Sequence, residues 1–543
     1  MGKVFLCIFL ILSSLSLSAQ NLVFLEHSDV LAFDRERLPD AQILRGDVRF
    51  RHDDALMFCD SAYFYEKSNS VTAFGQIRFL QGDTLSGYGD RLYYDGNTRL
   101  ARLCRNVKLI HRSTTLSTDS LNYDRNADLA YYFTGGTIQD SLNVLQSQWG
   151  QYSTATNQAL FRQDVHLQND RFTFDTDTLL YNTKTSQARI VCPTVIVYDT
   201  VTTIYSSNGT YNTSSEQSVL YDRSLITHND GQQLTGDTIY YDKKIGYGKL
   251  LHNIEMRDTA QHLTLHGHFA EAWEQNKRGY VTDSAQLVEW SQADNLTYVH
   301  ADTLFTEQVP FTDTLGQDTV FQQVRAYRHV RAYNKDYQLV CDSLSGNSHD
   351  SIVVLHHAPV CWSDSNQVSA DSITLYFVAD KLHHIYGVGT AFGTRQVNDT
   401  CFDQIAGKEM WAWLNDSTVY KVDVTGNAQT VFYPKEDDGS IIGVNTTQSS
   451  FIQIFLKDRA VDHILFTTAT SGVLYPLDQL PRKEQFLGGY FWADTERPSS
   501  AEDIFRNPPR TERPKRQTVS AAEDIDESKP AARQNKQLMQ SKK

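Results

Sequence analysis

After its first twenty residues this sequence has no run of eighteen consecutive apolar residues, and so no helical membrane anchor there. Proline and methionine are scarce, 12 and 5 among 543 residues. That scarcity, with abundant Thr, Ser, Asp and Tyr, leans towards β structure, and 28 Tyr and 27 Phe are ample for a core. Basic charge is in deficit: 50 Lys and Arg against 65 Asp and Glu leave a net charge of −15. The segment from Glu496 to Lys543 is net basic, so the body is more acidic than the whole. A nucleic-acid partner needs a basic footprint, and the deficit argues against one. None of the 7 cysteines lies in a C-x-x-C unit, which weakens a zinc or redox reading. Cys7 falls in the leader. The others, Cys59, Cys104, Cys192, Cys341, Cys361 and Cys401, permit disulfides in any of ~15 pairings, or stay as buried thiols.

What is present begins with that leader, MGKVFLCIFLILSSLSLSAQ. One Lys, an apolar run from Val4 to Leu17 and small residues at Ser18-Ala19 predict a secretory signal peptide over 1–20. Cys7 lies inside the run and not after a small-residue cleavage box, which speaks against a lipid-anchored lipoprotein. The mature chain is expected to be exported, and soluble or peripheral to membranes.

From Gly75 to Asp124 the chain says the same thing twice. Gly75-Gln-Ile77-Arg-Phe79 leads through a polar turn to Gly89-Asp90-Arg91-Leu92-Tyr93-Tyr94-Asp95. Asn106-Val107-Lys-Leu109 leads to Thr118-Asp119-Ser120-Leu121-Asn122-Tyr123-Asp124. Each run alternates apolar and polar residues, the period-two signature of half-buried strands. Ile77 and Phe79 share a face, as do Leu92 and Tyr94, Val107 and Leu109, Leu121 and Tyr123. The same sentence surrounds Val48, Phe50 and Phe64 upstream, and Val165, Leu167, Leu179, Tyr181, Ile239 and Tyr241 downstream. Its Asp recurs at 60, 90 and 119, and at 177 and 237 across one intervening unit, a period of ~30 residues that signals a stacked array. Asp95, Asp124 and Asp242, after the second strand, suit turns in which the carboxylate accepts backbone N–H bonds.

These observations predict an all-β fold: an elongated repeat array of about a dozen units of ~30 residues. After the signal peptide, regular repeats run over 21–310. A divergent continuation covers 311–495, ending in an aromatic cluster, Phe486-Leu-Gly-Gly-Tyr-Phe-Trp492, that would cap the open β edge. A Pro-rich, mixed-charge tail over 496–543 is expected to be disordered.

Two chemistries compete with a structural reading. Thr118-Asp119-Ser120-Leu121 and Cys341-Asp342-Ser343-Leu344 look like the Gly-Asp-Ser-Leu block of a hydrolase. Other repeats place Arg91, Thr178, Thr238 or Thr303 at the Ser position, so it reads as a tolerant strand site with no matched base, and no catalytic residue is assigned. His266 and His268 lack a third ligand. The pairs His356-His357 and His383-His384 would point to opposite faces of an extended strand. No metal or cofactor is expected.

The G-x-V-x-F … D-S-L-x-Y-D sentence behind a signal peptide resembles the OstA-like (organic solvent tolerance) family of lipopolysaccharide transport proteins, of the LptA and LptD N-terminal-domain type. The resemblance is strongest over Gly75-Ile77-Phe79, Asp90-Leu92-Tyr94-Asp95, Asn106-Val107-Leu109 and Asp119-Leu121-Tyr123-Asp124, and weaker out to Ile254. It implies a folded-over β-jellyroll whose apolar groove holds acyl chains. That lipid-binding groove would be lined by Val48, Phe50, Phe64, Ile77, Phe79, Leu92, Tyr94, Val107, Leu109, Leu121, Tyr123, Val165, Leu167, Leu179, Tyr181, Ile239 and Tyr241. It also implies a periplasmic, non-enzymatic bridge that serves outer-membrane assembly, with association with the outer membrane open. Its partners would be lipopolysaccharide acyl chains, an inner-membrane pump complex and an outer-membrane translocon, met end to end. The alternatives are a closed β-solenoid acting as a structural or adhesive spacer with no lipid path, and a secreted β-helix hydrolase.

Overall fold

Alternating side chains become long strands wherever the repeat is regular. Leu38–His52, Ala55–Tyr65, Ser70–Gln81, Leu85–Asp95, Leu100–His111 and Thr114–Asp124 each pair antiparallel with the next. This computed structural model describes residues 22–514, apart from 292–293, 313–315, 379–380, 416–417, 437 and 459. The expected signal peptide therefore lies outside the described residues. The chain divides into two units, 1–285 and 286–543.

In the first unit every long strand breaks register near its middle, between Arg45 and Val48, Phe58 and Ser61, Phe74 and Ile77, Tyr88 and Arg91, and Cys104 and Val107. On alternate strands the extra residues are a left-handed pair: Gly46-Asp47, Gly75-Gln76 and Arg105-Asn106 all have positive φ. Such a bulge bends the strand sharply, and repeating it strand after strand folds the sheet over its own apolar face. The ring of Phe79, beyond the bend, meets Tyr123 of the facing layer at 6.0 Å.

The recurring Asp of the repeat stands at this bend. Asp90 accepts a hydrogen bond from Asn106 Nδ2 at 2.7 Å, and Asp237 from Asn253 Nδ2 at 2.6 Å. The Asp60 carboxylate lies against Gly75, where any Cβ would collide with it. Asp95, Asp124 and Asp242 occupy the expected turns: Asp95 Oδ1 accepts from the N–H of Asn97 and Thr98 at 2.9 and 3.2 Å, and Asp124 and Asp242 do the same two and three residues on. Successive turns are also tied to each other. Asn97 Nδ2 bonds Ser68 O, 29 residues back, and Asn126 Nδ2 bonds Thr98 O, 28 residues back, so the period read from the sequence is a physical ladder of turns.

The second unit repeats the device, with register breaks between Tyr327 and Val330, Val388 and Ala391, Ala406 and Glu409, and Thr425 and Ala428. Its inner core gathers Val330, Leu339, Cys341, Leu355, Ile373, Met410, Val424 and Ile452. The outer face differs from the first unit's. Val340, Val360 and Trp362 point outward and are buried, because Phe491 and Ala493 pack on them. The strap carrying those residues runs back across the strands. Gln404 Nε2 donates to Gln485 O at 3.0 Å and its Oε1 accepts from Leu487 N at 2.9 Å. Gln367 holds Phe491 O at 3.0 Å and Ala493 N at 2.8 Å in the same way, and Gln338 accepts from Arg497 Nε at 2.7 Å.

The aromatic cluster at 486–492 thus lies along an outer face and not over the last strand, where the sequence reading put a cap. The tail reading changes too: Glu496 and Ile504 are buried, so the stretch from 496 to 514 is packed against the unit, and 515–543 lies outside the described residues. Among the described residues Cys59, Cys104, Cys192, Cys341, Cys361 and Cys401 form no disulfide, and Cys59 and Cys341 are buried. Burial pushes the Cys59 and Cys361 thiols up to about 12.

Candidate functional site: an apolar interior with a latched seam

In the first unit the bends create two facing layers, and the residues expected to line a groove divide between them. Val48, Phe50, Ile77, Phe79, Val107, Leu109, Val165 and Leu167 lie on one side of the bends. Phe64, Leu92, Tyr94, Leu121, Tyr123, Leu179, Tyr181, Ile239 and Tyr241 lie on the other. All point into one interior, and all but the half-buried Tyr241 are buried. Over the earlier repeats the interior is filled by these side chains themselves. These are the residues that the resemblance places along an apolar groove, and in this chain they are packed against one another while the two turn edges meet.

The closure is a row of polar latches along the seam between those edges. Tyr94 OH meets His52 Nδ1 at 2.5 Å and accepts from Arg125 Nη1 at 2.7 Å, while Arg125 Nη2 donates to Asp54 at 2.7 Å. Arg99 pairs with Asp53 at 2.8 Å. One repeat on, Tyr152 OH meets His111 at 2.9 Å. Then Asn143 Nδ2 donates to Tyr181 OH at 3.2 Å, and Tyr181 OH donates to Asp140 at 3.1 Å. Arg171 pairs with Glu216 at 2.8 Å, and Tyr198 OH meets Tyr211 OH at 2.6 Å. Tyrosine suits the post, since its ring belongs to the core while its hydroxyl reaches the edge. Burial drives these phenols upward, Tyr181 and Tyr198 to about 12 and Tyr94 in the same direction against the opposing pull of Arg125. Burial also holds the His111 imidazole below its ordinary value, so both partners of that latch are neutral near pH 7.

Beyond Tyr211 the lining changes. Ile239, Leu250, Ala270 and Val281 remain buried on one layer. Opposite them Ile226, Leu234, Met256 and Leu265, cross-strand neighbours in register, are only half-buried. This is a ribbon of apolar side chains that face inward and still touch solvent. The groove residues read from the sequence do not include these four; the signal was the alternation of Leu234 and Met256 with polar neighbours.

The competing chemistries can now be placed. Ser343 Oγ lies 3.5 Å from His357 Nδ1 and Asp342 lies 3.8 Å from the same nitrogen. A relay needs the carboxylate on one ring nitrogen and the nucleophile on the other, and this His is largely exposed. The trio is another bend clasp. His383 and His384 do not diverge as the strand reading expected: their Nδ1 atoms approach to 2.9 Å, and His384 stacks on Tyr376 at 4.2 Å. Among the described residues no three His, Cys, Asp or Glu side chains form a metal-sized group.

Residues 20–177 match the family model described as OstA-like protein. Among solved structures the chain is similar to the crystal structure of LptH, the LptA homologous periplasmic component of the conserved lipopolysaccharide transport device from Pseudomonas aeruginosa. The identity is 14%, covering 26% of this chain and 95% of that one, with a TM-score of 0.21. No curated protein matches the chain.

Proposed function

We propose, from the OstA-like region over residues 20–177, that this protein is a non-enzymatic periplasmic carrier. It would conduct the acyl chains of lipopolysaccharide between the inner and outer membranes. The observation that carries the proposal is the inward-facing, half-exposed ribbon of Ile226, Leu234, Met256 and Leu265. An acyl chain gains ~25 cal/mol per Å² of apolar surface taken from water, enough for binding without chemistry. An acidic body fits an anionic glycolipid only if the headgroup stays in solvent. The ends of the array support end-to-end partners, since Phe24 and Phe33 are exposed on the first strands and Leu474 on the last.

The packing of Val48 through Leu179 favours a second reading, a closed structural spacer. Two measurements separate them. Native mass spectrometry of protein from its own envelope yields lipid A-bearing species if it is a carrier, and clean protein that refuses added lipopolysaccharide if it is a spacer. Photocrosslinkers at Met256 and Leu265 should capture lipopolysaccharide, and a charge at the half-buried Ile226 or Leu234 should abolish capture. Changes at the outward-facing Arg91 or Lys108 should leave it intact; equal effects from the two classes sink the carrier reading.

A further inference from the structure

Some arginines of this protein grip carboxylates with one particular edge. Nε and Nη2 present two parallel N–H groups, a fork that matches two oxygens of a planar or tetrahedral anion. Arg395 closes that fork on the single oxygen Oδ2 of Asp403, at 3.0 and 2.5 Å. Arg506 applies it to Asp503, at 2.6 and 3.1 Å.

Arg331 carries the same fork with nothing in it among the described residues. It sits in strand Asp318–Tyr333, in register between His300 and Val340. Its neighbours Val330 and Ala332 belong to the inner core, so it faces outward. On that face the short helix Glu502–Phe505 covers it, with the Phe505 ring tilted against His300 at 4.7 Å. Arg331 is 5% exposed, and its Nε and Nη2 have no hydrogen-bond partner among the described residues. The acids in range are already engaged: Asp503 by Arg506, and Glu496 by Arg510 Nη1 at 3.0 Å and Thr511 N at 2.6 Å. Arg506 and Arg510 thus balance Asp503 and Glu496 one for one, and Arg331 is left as a buried surplus cation. A buried charge without a partner is among the costliest things a fold can hold. Burial accordingly pushes its guanidinium down to about 10.

We propose that Arg331, beneath the Glu502–Phe505 turn and flanked by Arg506 and Arg510, is a binding site for a phosphate-class oxyanion. Two oxygens would accept from the Nε–Nη2 fork. The site lies on the outer face of the second unit, and it stands or falls independently of lipid carriage in the first.

The test is thermal unfolding and titration calorimetry of the whole mature chain with inorganic phosphate, against chloride at matched ionic strength. A parallel arm uses flotation with phosphatidic acid vesicles. Wild type should show a saturable rise in midpoint and one phosphate bound per chain. Arg331→Met should lose both, and should match or exceed wild type in phosphate-free buffer, since the unpartnered charge is gone. Arg331→Lys keeps the charge, lacks the fork and should bind more weakly, which guards against a Met variant that fails to fold. Arg331-dependent flotation would identify a lipid headgroup as the source of the anion; a phosphate effect without flotation would identify the free ion. The same phosphate response in Arg331→Met, or no saturable response in wild type, overturns the site.

Discussion

Removing one hydroxyl should loosen the seam of the first unit. In Tyr94→Phe the ring stays in place, so no cavity forms, but Arg125 Nη1 loses the acceptor it holds at 2.7 Å and keeps only the long 3.4 Å approach to His52 Nδ1. Arg125 is 8% exposed and its Nε already lacks a partner, so water cannot easily make good the loss. Hydrogen bonds to charged groups are worth ~1.5–3 kcal/mol, and a stranded buried donor costs about as much. We expect ~2 kcal/mol, a fall in midpoint of ~4–8 °C for a unit of this size. Tyr93→Phe is the control: it also removes a hydroxyl that takes an arginine, Arg91 at 3.0 Å, but at an exposed position. There the cost should stay within ~0.5 kcal/mol. Urea unfolding supplies the free energies, and amide exchange at Asn97 and Asn126 reports whether the turns beside the seam open. Equal losses in the two variants would refute the reasoning, because the seam would then hold by packing alone.

Other outcomes follow from particular residues. Gly75→Ala meets both a left-handed φ of +73° and the Asp60 carboxylate, whereas Gly82→Ala at φ +55° meets nothing within 4 Å; the first should cost ~2–4 kcal/mol by thermal melt and the second only ~1. Gln367→Ala strands Phe491 O and Ala493 N and should speed trypsin cleavage at Arg497 and Arg506 several-fold; an unchanged rate would mean the strap is held elsewhere. His166 is hydrogen-bonded to Asp175 at 2.5 Å, which raises its pKa. A raised histidine stabilises the fold fully below its unfolded value near ~6.5, and loses that contribution as pH climbs through the folded value. Histidine NMR should place the His166 midpoint higher in wild type than in Asp175→Asn.

The regular half of the fold was legible because two periods coincide in it. Alternation at Ile77 and Phe79 or Leu121 and Tyr123 names the inward face, and the Asp recurrence names the repeat. What the pattern could not carry was the meaning of that Asp. Asp60 and Asp90 look like strand polar residues, yet they clasp the bend that turns one sheet into two layers, and a bend needs a neighbouring strand to be seen. The strap was illegible for a related reason. Gln338, Gln367 and Gln404 sit at outward positions where a polar residue raises no question, and only the chain ~80–160 residues away reveals that they are buried. The same alternation fits both a packed core and a lining, so it named the inward residues without telling where, at Ile226 to Leu265, water still reaches them.

The strap also sets an order of events in time. Strand pairing in either unit joins residues close in sequence, so each hairpin can form as soon as it is made. The strap's grip joins residues 124, 126 and 159 apart. Closing loops that long carries an entropy cost that only a finished sheet can repay. As the chain is delivered N-terminus first, Val340, Val360 and Trp362 stay bare until the last stretch arrives. A nascent chain halted before Gln485 would be nearly complete in its strands and still adhesive, a window in which a holding chaperone would find its grip.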